Sequence, residues 1–134
     1  MLFNKLSCAE GTLLRDWRWP HFSVRELACR CAGGFCAGEY WQNEAFLDAL
    51  EVMRHAVGAP LVITSGHRCA GWNRHVGGAR RSMHLTIAAD ISEAGHDRQC
   101  LLRAAKAAGF TGLGLGQTFL HVDRRAQPAR WGYS

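Results

Sequence analysis

The apolar residues of one long segment recur at the spacing of a helix face. Between Asn43 and Gly58 they lie three or four positions apart, at Phe46, Leu47, Leu50, Met53 and Val57. This period predicts an amphipathic helix, and Gly58 is the kind of residue that commonly ends one. Upstream, Ser23-Val24-Arg25-Glu26 has the form of a capping box, which predicts a short helix that begins after Ser23.

The second half of the chain carries patterns typical of strands. Residues 61–65 form a short run rich in β-branched side chains, bounded by a proline and a glycine, and predict a buried strand. Residues 88–91 are a further candidate strand. Residues 112–115 and 119–123 predict two more strands, joined by a tight connection at Gly116-Gln117.

The remaining segments complete the predicted fold. Asp97 predicts the start of a helix that ends at Gly109, whereas the Gly- and Arg-rich residues 66–81 and the tail, residues 124–134, predict surface loops. Strands and helices are segregated and do not alternate as βαβ units. The predicted fold class is therefore α+β, with a small, mainly antiparallel sheet and flanking helices.

Composition narrows the class of protein. The chain has 134 residues, of which 48% are hydrophobic and 20% are charged. These values suit one globular domain spanning residues 1–134, and they exclude a disordered chain or a repetitive fibre. No apolar run approaches the roughly 18 residues that a membrane-spanning helix needs, so no stable membrane insertion is expected. The first residues also lack the apolar core of a signal peptide.

The charge balance favours an anionic partner. Sixteen Lys and Arg residues against 11 Asp and Glu residues give a formal net charge of +5. Such an excess suits nucleic acid, an anionic membrane or a bacterial cell wall. The basic residues lie singly or in pairs and no nucleic-acid-binding motif accompanies them, so no nucleic-acid partner is expected.

Six cysteines are many for so short a chain, and three of them form a C-x-C-x4-C array at Cys29, Cys31 and Cys36. Such an array can bind a metal ion or form disulfides. Structural zinc takes four ligands and commonly uses a C-x2-C spacing, which is absent here. The array by itself therefore favours disulfides or buried free thiols over a second metal site.

A catalytic zinc ion needs about three protein ligands that converge on one point and leave one position open. His84, Asp90 and His121 are the candidate ligands. His84 lies just before the predicted strand that contains Asp90, so both side chains can reach one edge of the sheet. His121 and Asp123 are two positions apart on the last predicted strand, which places their side chains on the same face.

Several segments together resemble the zinc D-Ala-D-Ala carboxypeptidases and murein endopeptidases. Residues 82–91 (SMHLTIAADI) and 119–123 (FLHVD) are similar to the family's S-x-H-(x)n-A-A-D and F-(V/I/L)-H-V-D signatures. Other segments also match the family, and all of them occur in the family's order along the chain. They are FSVRELAC at 22–29, VITSGHR at 62–68, NRHVGG at 73–78, AGFTGLG at 108–114 and Trp131-Gly132-Tyr133. The resemblance covers residues 22–133, after an N-terminal extension of residues 1–21, and is strongest with the family's short, phage-type branch.

This resemblance implies a hedgehog/DD-peptidase type of α+β fold and a zinc ion held by His84, Asp90 and His121. It implies that Arg68 binds a substrate carboxylate, a role that suits the planar guanidinium because it can donate two parallel hydrogen bonds. Ser82 is a second candidate for substrate binding, because its hydroxyl can form a hydrogen bond near the loop that carries the zinc ligands.

The loop between the first two implied ligands departs from the family pattern. The spacer from His84 to Asp90 is one residue shorter and lacks a glycine. A one-residue change within a strand would turn Asp90 to the other face, so we expect the loop before residue 88 to absorb the difference. The resemblance further implies a disulfide between Cys69 and one of the three cysteines of the array, which would clamp the N-terminal segment onto the loop of Arg68.

The general base is the second departure. Thr118 stands where several branches of the family have an acidic residue, and a threonine cannot accept a proton at neutral pH. Asp123 is then either the base or the residue that orients His121. His67 stands where a tyrosine is common, and it can be an electrophile, a second base or a solvent-exposed loop residue.

The sequence thus predicts a zinc-dependent metallopeptidase that hydrolyses peptidoglycan stem or cross-link peptides near D-amino acids by metal-activated water. We expect a monomer that acts on the bacterial cell wall and reaches it through phage lysis or injection, as an endolysin does. The alternative is a catalytically silent, zinc-containing binding module of the same fold. A DNA-binding, zinc-ribbon-like protein built on the cysteine array is a third hypothesis.

Overall fold

The computed structural model describes residues 1–132 of the chain, so Tyr133 of the predicted aromatic ending lies outside the described residues. The helices of this part are α1 Leu6–Leu13, α2 Val24–Leu27, α3 Glu44–Val57, α4 Ala70–His75 and α5 Arg98–Ala107. The strands are β1 Leu2–Phe3, β2 Tyr40–Trp41, β3 Ile63–Ser65, β4 Ala89–Ser92, β5 Gly112–Leu115, β6 Phe119–Asp123 and β7 Ala129–Gly132. Within residues 1–132, no helix combines the length and apolar character needed to cross a membrane.

Five strands form one sheet in the order β3-β4-β6-β5-β7, and β1 pairs with β2 separately. Neighbours in the larger sheet are antiparallel except β5 and β7. The predicted hairpin of β5 and β6 is present, and the backbone N–H of Gly116 donates to the carbonyl of Phe119 at its turn, over 2.9 Å. The predicted α+β class with a small, mainly antiparallel sheet is confirmed.

The capping residues correctly predict the start of α2 and both ends of α3. The Asn43 side chain accepts a hydrogen bond from the backbone N–H of Phe46 at the start of α3, and Gly58 at its end has a φ of 71°. That left-handed conformation favours glycine, because other residues would crowd their Cβ against the backbone. Both hydrogen bonds of the capping box between Ser23 and Glu26 are present at the start of α2.

The hydrophobic core lies between the sheet and the helices α3 and α5, which pack against each other. The rings of Phe46 on α3 and Phe110 after α5 meet edge to face, with centroids 5.6 Å apart. From the sheet, Ile91, Leu120 and Val122 are completely buried in this core. Because side chains alternate along a strand, the residues between them face the opposite side of the sheet.

Two segments predicted as loops contain regular structure, so those predictions were wrong. Residues 66–81 include α4, which is too short to show a helical apolar period, and Met83–Leu85 forms a 3-10 turn soon after. The tail contains β7, whose side chains are half-buried or exposed. Backbone pairing with β5 holds this strand, and such pairing leaves no mark in the sequence of the strand itself.

The N-terminal extension, for which no element is predicted, folds onto the rest of the chain. It contains β1 and α1, and Phe3, Ala9 and Trp19 are buried in the core. The N-terminal amine donates a hydrogen bond to the carbonyl of Gln42 over 3.0 Å. Residues 1–21 therefore contribute apolar contacts to the same core as the family-like region.

Replacing the buried Leu50 of α3 by alanine tests the position of the core. Leu50 is fully buried, so Leu50→Ala is expected to lower the free energy of unfolding by about 2–5 kcal/mol through lost contacts and the cavity left behind. Val52→Ala on the exposed side of the same helix is the control, with an expected change within about 0.5 kcal/mol. Urea unfolding measures both, and equal losses would contradict this arrangement of the helix.

Candidate metal centre

Three side chains from two neighbouring strands and the turn before them meet on the face of the sheet opposite the core. Asp90 on β4 and His121 on β6 are direct cross-strand partners. His84 lies in the 3-10 turn that precedes β4. Because Asp90 and His121 occupy the same pair position, their side chains project side by side toward His84.

The donor atoms of these residues form a compact triangle. His84 Nε2 lies 3.1 Å from His121 Nδ1 and 3.2 Å from Asp90 Oδ1, and the last two atoms are 3.1 Å apart. Ligands at about 2.0–2.2 Å from a tetrahedral zinc ion are separated by about 3.3–3.6 Å, so only a slight expansion is needed. All three residues are buried.

The outer nitrogen of each imidazole fixes which nitrogen faces the centre. His84 Nδ1 lies 2.6 Å from the carbonyl oxygen of Gly66, and His121 Nε2 lies 2.7 Å from Asp123 Oδ2. Both partners only accept hydrogen bonds, so these outer nitrogens carry the hydrogen and donate it. The inner nitrogens then face the Asp90 carboxylate, and once a cation displaces any proton shared among these three atoms, the donor set fits a divalent ion such as zinc.

Asp123 is held in place from the other side by Arg125. The guanidinium donates to both carboxylate oxygens over 2.9 and 2.6 Å, and the Arg125 backbone N–H adds a bond of 3.0 Å. Asp123 is fully buried, and a Cβ on Gly112 of the neighbouring strand would collide with its carboxylate. Sequence reasoning missed both Arg125 and Gly112. The only available signals were an arginine two positions after the aspartate and a glycine inside a strand.

The electrostatic environment keeps the carboxylates ionised. Burial alone would raise the pKa of Asp90, but hydrogen bonds and charge from His121 and His84 outweigh it and hold the pKa well below its usual range. Burial also opposes ionisation of Asp123, yet hydrogen bonds from His121 and Arg125 lower its pKa in the same way. For His121, burial favours the neutral ring, whereas its bonds to the two carboxylates raise the pKa. The two ionised carboxylates therefore supply the negative charge that a cation requires, and a bound cation would take the place of a proton on His121.

The short spacer between His84 and Asp90 is accommodated before β4. The 3-10 turn ends at Leu85, and the next residue, Thr86, has φ −110° and ψ −95°, which redirect the chain toward the strand. The Ser82 side chain caps the turn by accepting the backbone N–H of His84 over 3.1 Å. Asp90 on β4 faces His121 on β6, which is the orientation required if the loop accommodates the short spacer.

A cavity of about 610 Å³ opens above the three donors and is lined by arginines. Arg68, Arg81 and Arg125 all contribute to its wall. Arg68 is fixed by hydrogen bonds to Ser65 Oγ and Asn73 Oδ1, each of 3.2 Å, while its NH2 group lies 3.6 Å from Asp90 Oδ2. This wall presents positive charge beside the metal centre and suits a negatively charged ligand.

The catalytic candidate His67 and the position of the missing acidic residue, Thr118, both lie outside the lining of this cavity. His67 is buried, with Nδ1 at 2.6 Å from the carbonyl oxygen of Thr86 and Nε2 at 2.9 Å from Glu39 Oε1. Of the three alternatives given for His67, the solvent-exposed loop residue is wrong, because the side chain is buried and both ring nitrogens are used inside the protein. Thr118 lies in the hairpin connection, where its carbonyl accepts the backbone N–H of Glu93.

Comparison with known protein families gives a match over most of the chain. The sequence profile of the peptidase M15 family matches residues 20–123, which include His84, Asp90, His121 and Arg68. A search of curated proteins gives no match. The match confirms the resemblance predicted from the motifs at the level of the family, which is the zinc D-Ala-D-Ala carboxypeptidase family.

Removing the charge of Asp123 tests its contact with His121. Asp123→Asn is expected to weaken zinc binding about 10- to 100-fold, because a neutral partner stabilises the required imidazole tautomer less well. Competition with a zinc chelator measures this affinity, after subtraction of any zinc that a His84→Ala variant retains. Asp97→Asn removes the same charge from an exposed helix cap and should leave the affinity unchanged. Equal affinity of wild type and Asp123→Asn would contradict the inferred contact.

Proposed function

Because the chain belongs to the peptidase M15 family of zinc metallopeptidases, we propose that it hydrolyses peptidoglycan stem or cross-link peptides beside D-amino acids. The observation that carries this proposal is the convergence of two imidazole lone pairs and one carboxylate at the base of an arginine-lined cavity. His84, Asp90 and His121 would hold the zinc ion. A zinc ion there supplies the Lewis acidity that polarises a scissile carbonyl and lowers the pKa of water.

The residues around the ligands keep the imidazoles in the form that binds metal. Asp123 acts as a positioning residue, because both of its oxygens already accept hydrogen bonds from His121 and Arg125. Its buried position keeps it away from the cavity, which favours this role over that of the general base. His67 is likewise a positioning residue, since it links Thr86 beside the ligand turn to Glu39.

Arg68 is the residue that we assign to a substrate carboxylate. Ser65 and Asn73 hold its Nε and NH1 groups, which fixes the plane of the guanidinium at low entropic cost. Arg81 lines the same cavity and adds positive charge for a further carboxylate. Stem peptides carry carboxylates of this kind, and the net charge of +5 suits the anionic surface of a cell wall.

One observation favours the silent binding module as the second candidate. Among the described residues that line the cavity, Asp90 is the only one with a carboxylate, and it belongs to the metal centre. A proton acceptor separate from the ligands is therefore lacking in that set. Turnover distinguishes the two candidates, because a silent module would bind zinc and peptidoglycan without releasing products. In either case the proposed site of action is the cell wall, reached by phage lysis or injection, and the proposed state is a monomer.

Digestion of purified peptidoglycan tests the proposed reaction. The zinc-loaded protein is expected to release peptides or D-alanine, identified by liquid chromatography and mass spectrometry. Chelation should abolish release and added zinc should restore it, while His84→Ala and His121→Ala should be inactive because each removes a ligand. His55→Ala, an exposed histidine on α3, is the matched control and should remain active. Stoichiometric zinc without any product would instead identify the silent module.

Shortening Arg68 tests recognition of the carboxylate. With a peptide that ends in a free carboxylate, Arg68→Ala is expected to raise KM about 10- to 100-fold, because a charge-assisted hydrogen-bonded pair is lost. The same peptide with an amidated end should be cleaved equally by wild type and variant. Arg103→Ala on the exposed face of α5 controls for loss of a positive charge. An equal loss on both substrates would contradict the assigned role.

A further inference from the structure

Four cysteines from two distant segments gather on the far side of the loop that carries Arg68. We call them the cysteine cluster: Cys29, Cys31, Cys36 and Cys69. Their sulfur atoms all lie within 4.8 Å of one another, and the sulfurs of Cys31 and Cys36 are 3.4 Å apart. Sequence analysis lacked a fourth ligand for the array of three, and the fold supplies it in Cys69.

The backbone between the second and third cysteines bends so that both sulfurs reach the same point. Ala32 and Gly33 are both left-handed, with φ values of 55° and 86°. Ala32 is the only residue other than glycine with a positive φ among those described. The turn is closed by the N–H of Gly34, which donates to the carbonyl of Cys31 over 3.0 Å. This turn lets the cysteines of a C-x-C-x4-C array bring their sulfurs together, although the array lacks the C-x2-C spacing common in zinc sites.

Each sulfur of the cluster accepts a backbone N–H. The donors are Cys69 to Cys29 (3.3 Å), Cys36 to Cys31 (3.3 Å), Glu39 to Cys36 (3.4 Å) and Trp72 to Cys69 (3.4 Å). A neutral thiol is only a weak acceptor, whereas a thiolate is stabilised by such bonds. These four hydrogen bonds fix the positions of the sulfurs, which all lie within 4.8 Å of one another.

We propose that the cysteine cluster binds a structural zinc ion, separate from the metal centre of His84. Sulfurs at about 2.3 Å from a tetrahedral zinc ion are about 3.8 Å apart. This separation lies between the distance given above for Cys31 and Cys36 and the upper limit given for all four sulfurs. Four protein ligands leave no open position, so this ion stabilises structure and takes no part in hydrolysis. Binding exchanges thiol protons for the metal ion and needs no oxidant, in contrast to disulfide formation.

The surroundings of the cluster suit a closed site. Cys29, Cys31 and Cys69 are buried and Cys36 is half-buried, with Trp72 packed against them. All six cysteines of the chain are free thiols in the structure. The disulfide between Cys69 and the array that the resemblance implied is not formed in the structure, and it would use two of the four sulfurs that a zinc ion needs.

The position of the cluster links it to the metal centre. Cys69 follows Arg68 directly, and the Arg68 backbone N–H donates to the carbonyl of His84 over 2.6 Å. In the same loop, the His67 N–H donates to the carbonyl of Leu27, two residues before Cys29. A Cβ on Gly66 would collide with that same Leu27 backbone. A zinc ion in the cluster would therefore fix the loop whose Gly66 carbonyl sets the tautomer of His84.

Metal content of the full-length chain tests the proposal. After purification with zinc and a phosphine reductant, elemental analysis should find about two zinc ions per wild-type chain and about one in either His84→Ala or Cys36→Ser. The double variant should hold none. The matched control combines Cys8→Ser and Cys100→Ser, two exposed cysteines outside the cluster, and should keep both ions.

Cobalt provides a second readout that does not depend on cysteine variants or on activity. Cobalt bound to His84→Ala should show intense sulfur-to-cobalt charge-transfer absorption, because the cysteine cluster supplies four sulfur ligands. This measurement leaves all four thiols intact, so it decides the question even if Cys36→Ser does not fold.

Three results would overturn the second site. They are about one zinc ion per wild-type chain with none in His84→Ala, cobalt binding without charge-transfer absorption, and an intact mass showing disulfides within the cluster of freshly reduced protein. An inactive protein that retains about two zinc ions would overturn the proposed reaction but not the proposed structural site.

Discussion

The candidate site depends on two hydrogen bonds that point away from it. The Gly66 carbonyl and the Asp123 carboxylate each take the hydrogen of one imidazole, which leaves the lone pairs of His84 and His121 facing the same carboxylate oxygen. Either ring in the other tautomer would place an N–H where a cation must bind. The metal centre therefore depends on these outer partners as much as on the three candidate ligands.

Two parts of the scaffold hold these outer partners in place. On one side, Asp123 is locked by Arg125 and fits only because Gly112 of the adjacent strand has no side chain. On the other side, Gly66 belongs to a loop that is tied to α2 by backbone hydrogen bonds and is followed by Cys69 of the cysteine cluster. A structural ion in that cluster would make the two metal sites mechanically linked, although their ligands differ in chemistry.

Sequence patterns predicted the features that depend on residues close together in the chain and missed those that depend on distant residues. Caps and periods are local, so the start of α2, both ends of α3 and the face shared by His121 and Asp123 were predicted correctly. The helix α4 and the strand β7 were missed, because one is too short for a period and the other is held by pairing with a neighbouring strand. The role of Arg125 was missed for the same reason, since its partner is identified only by the folded geometry.

The sequence by itself determined the family, the α+β class and the candidate ligands His84, Asp90 and His121, because ordered motifs and short-range patterns survive without coordinates. Only the tertiary structure decided which atoms meet. In the folded chain, His67 lies in the interior, Asp123 lies outside the cavity, and Cys69 lies beside the three cysteines of the array. Those outcomes depend on how strands pair and loops pack across long stretches of chain, and a linear pattern does not encode the distances that result.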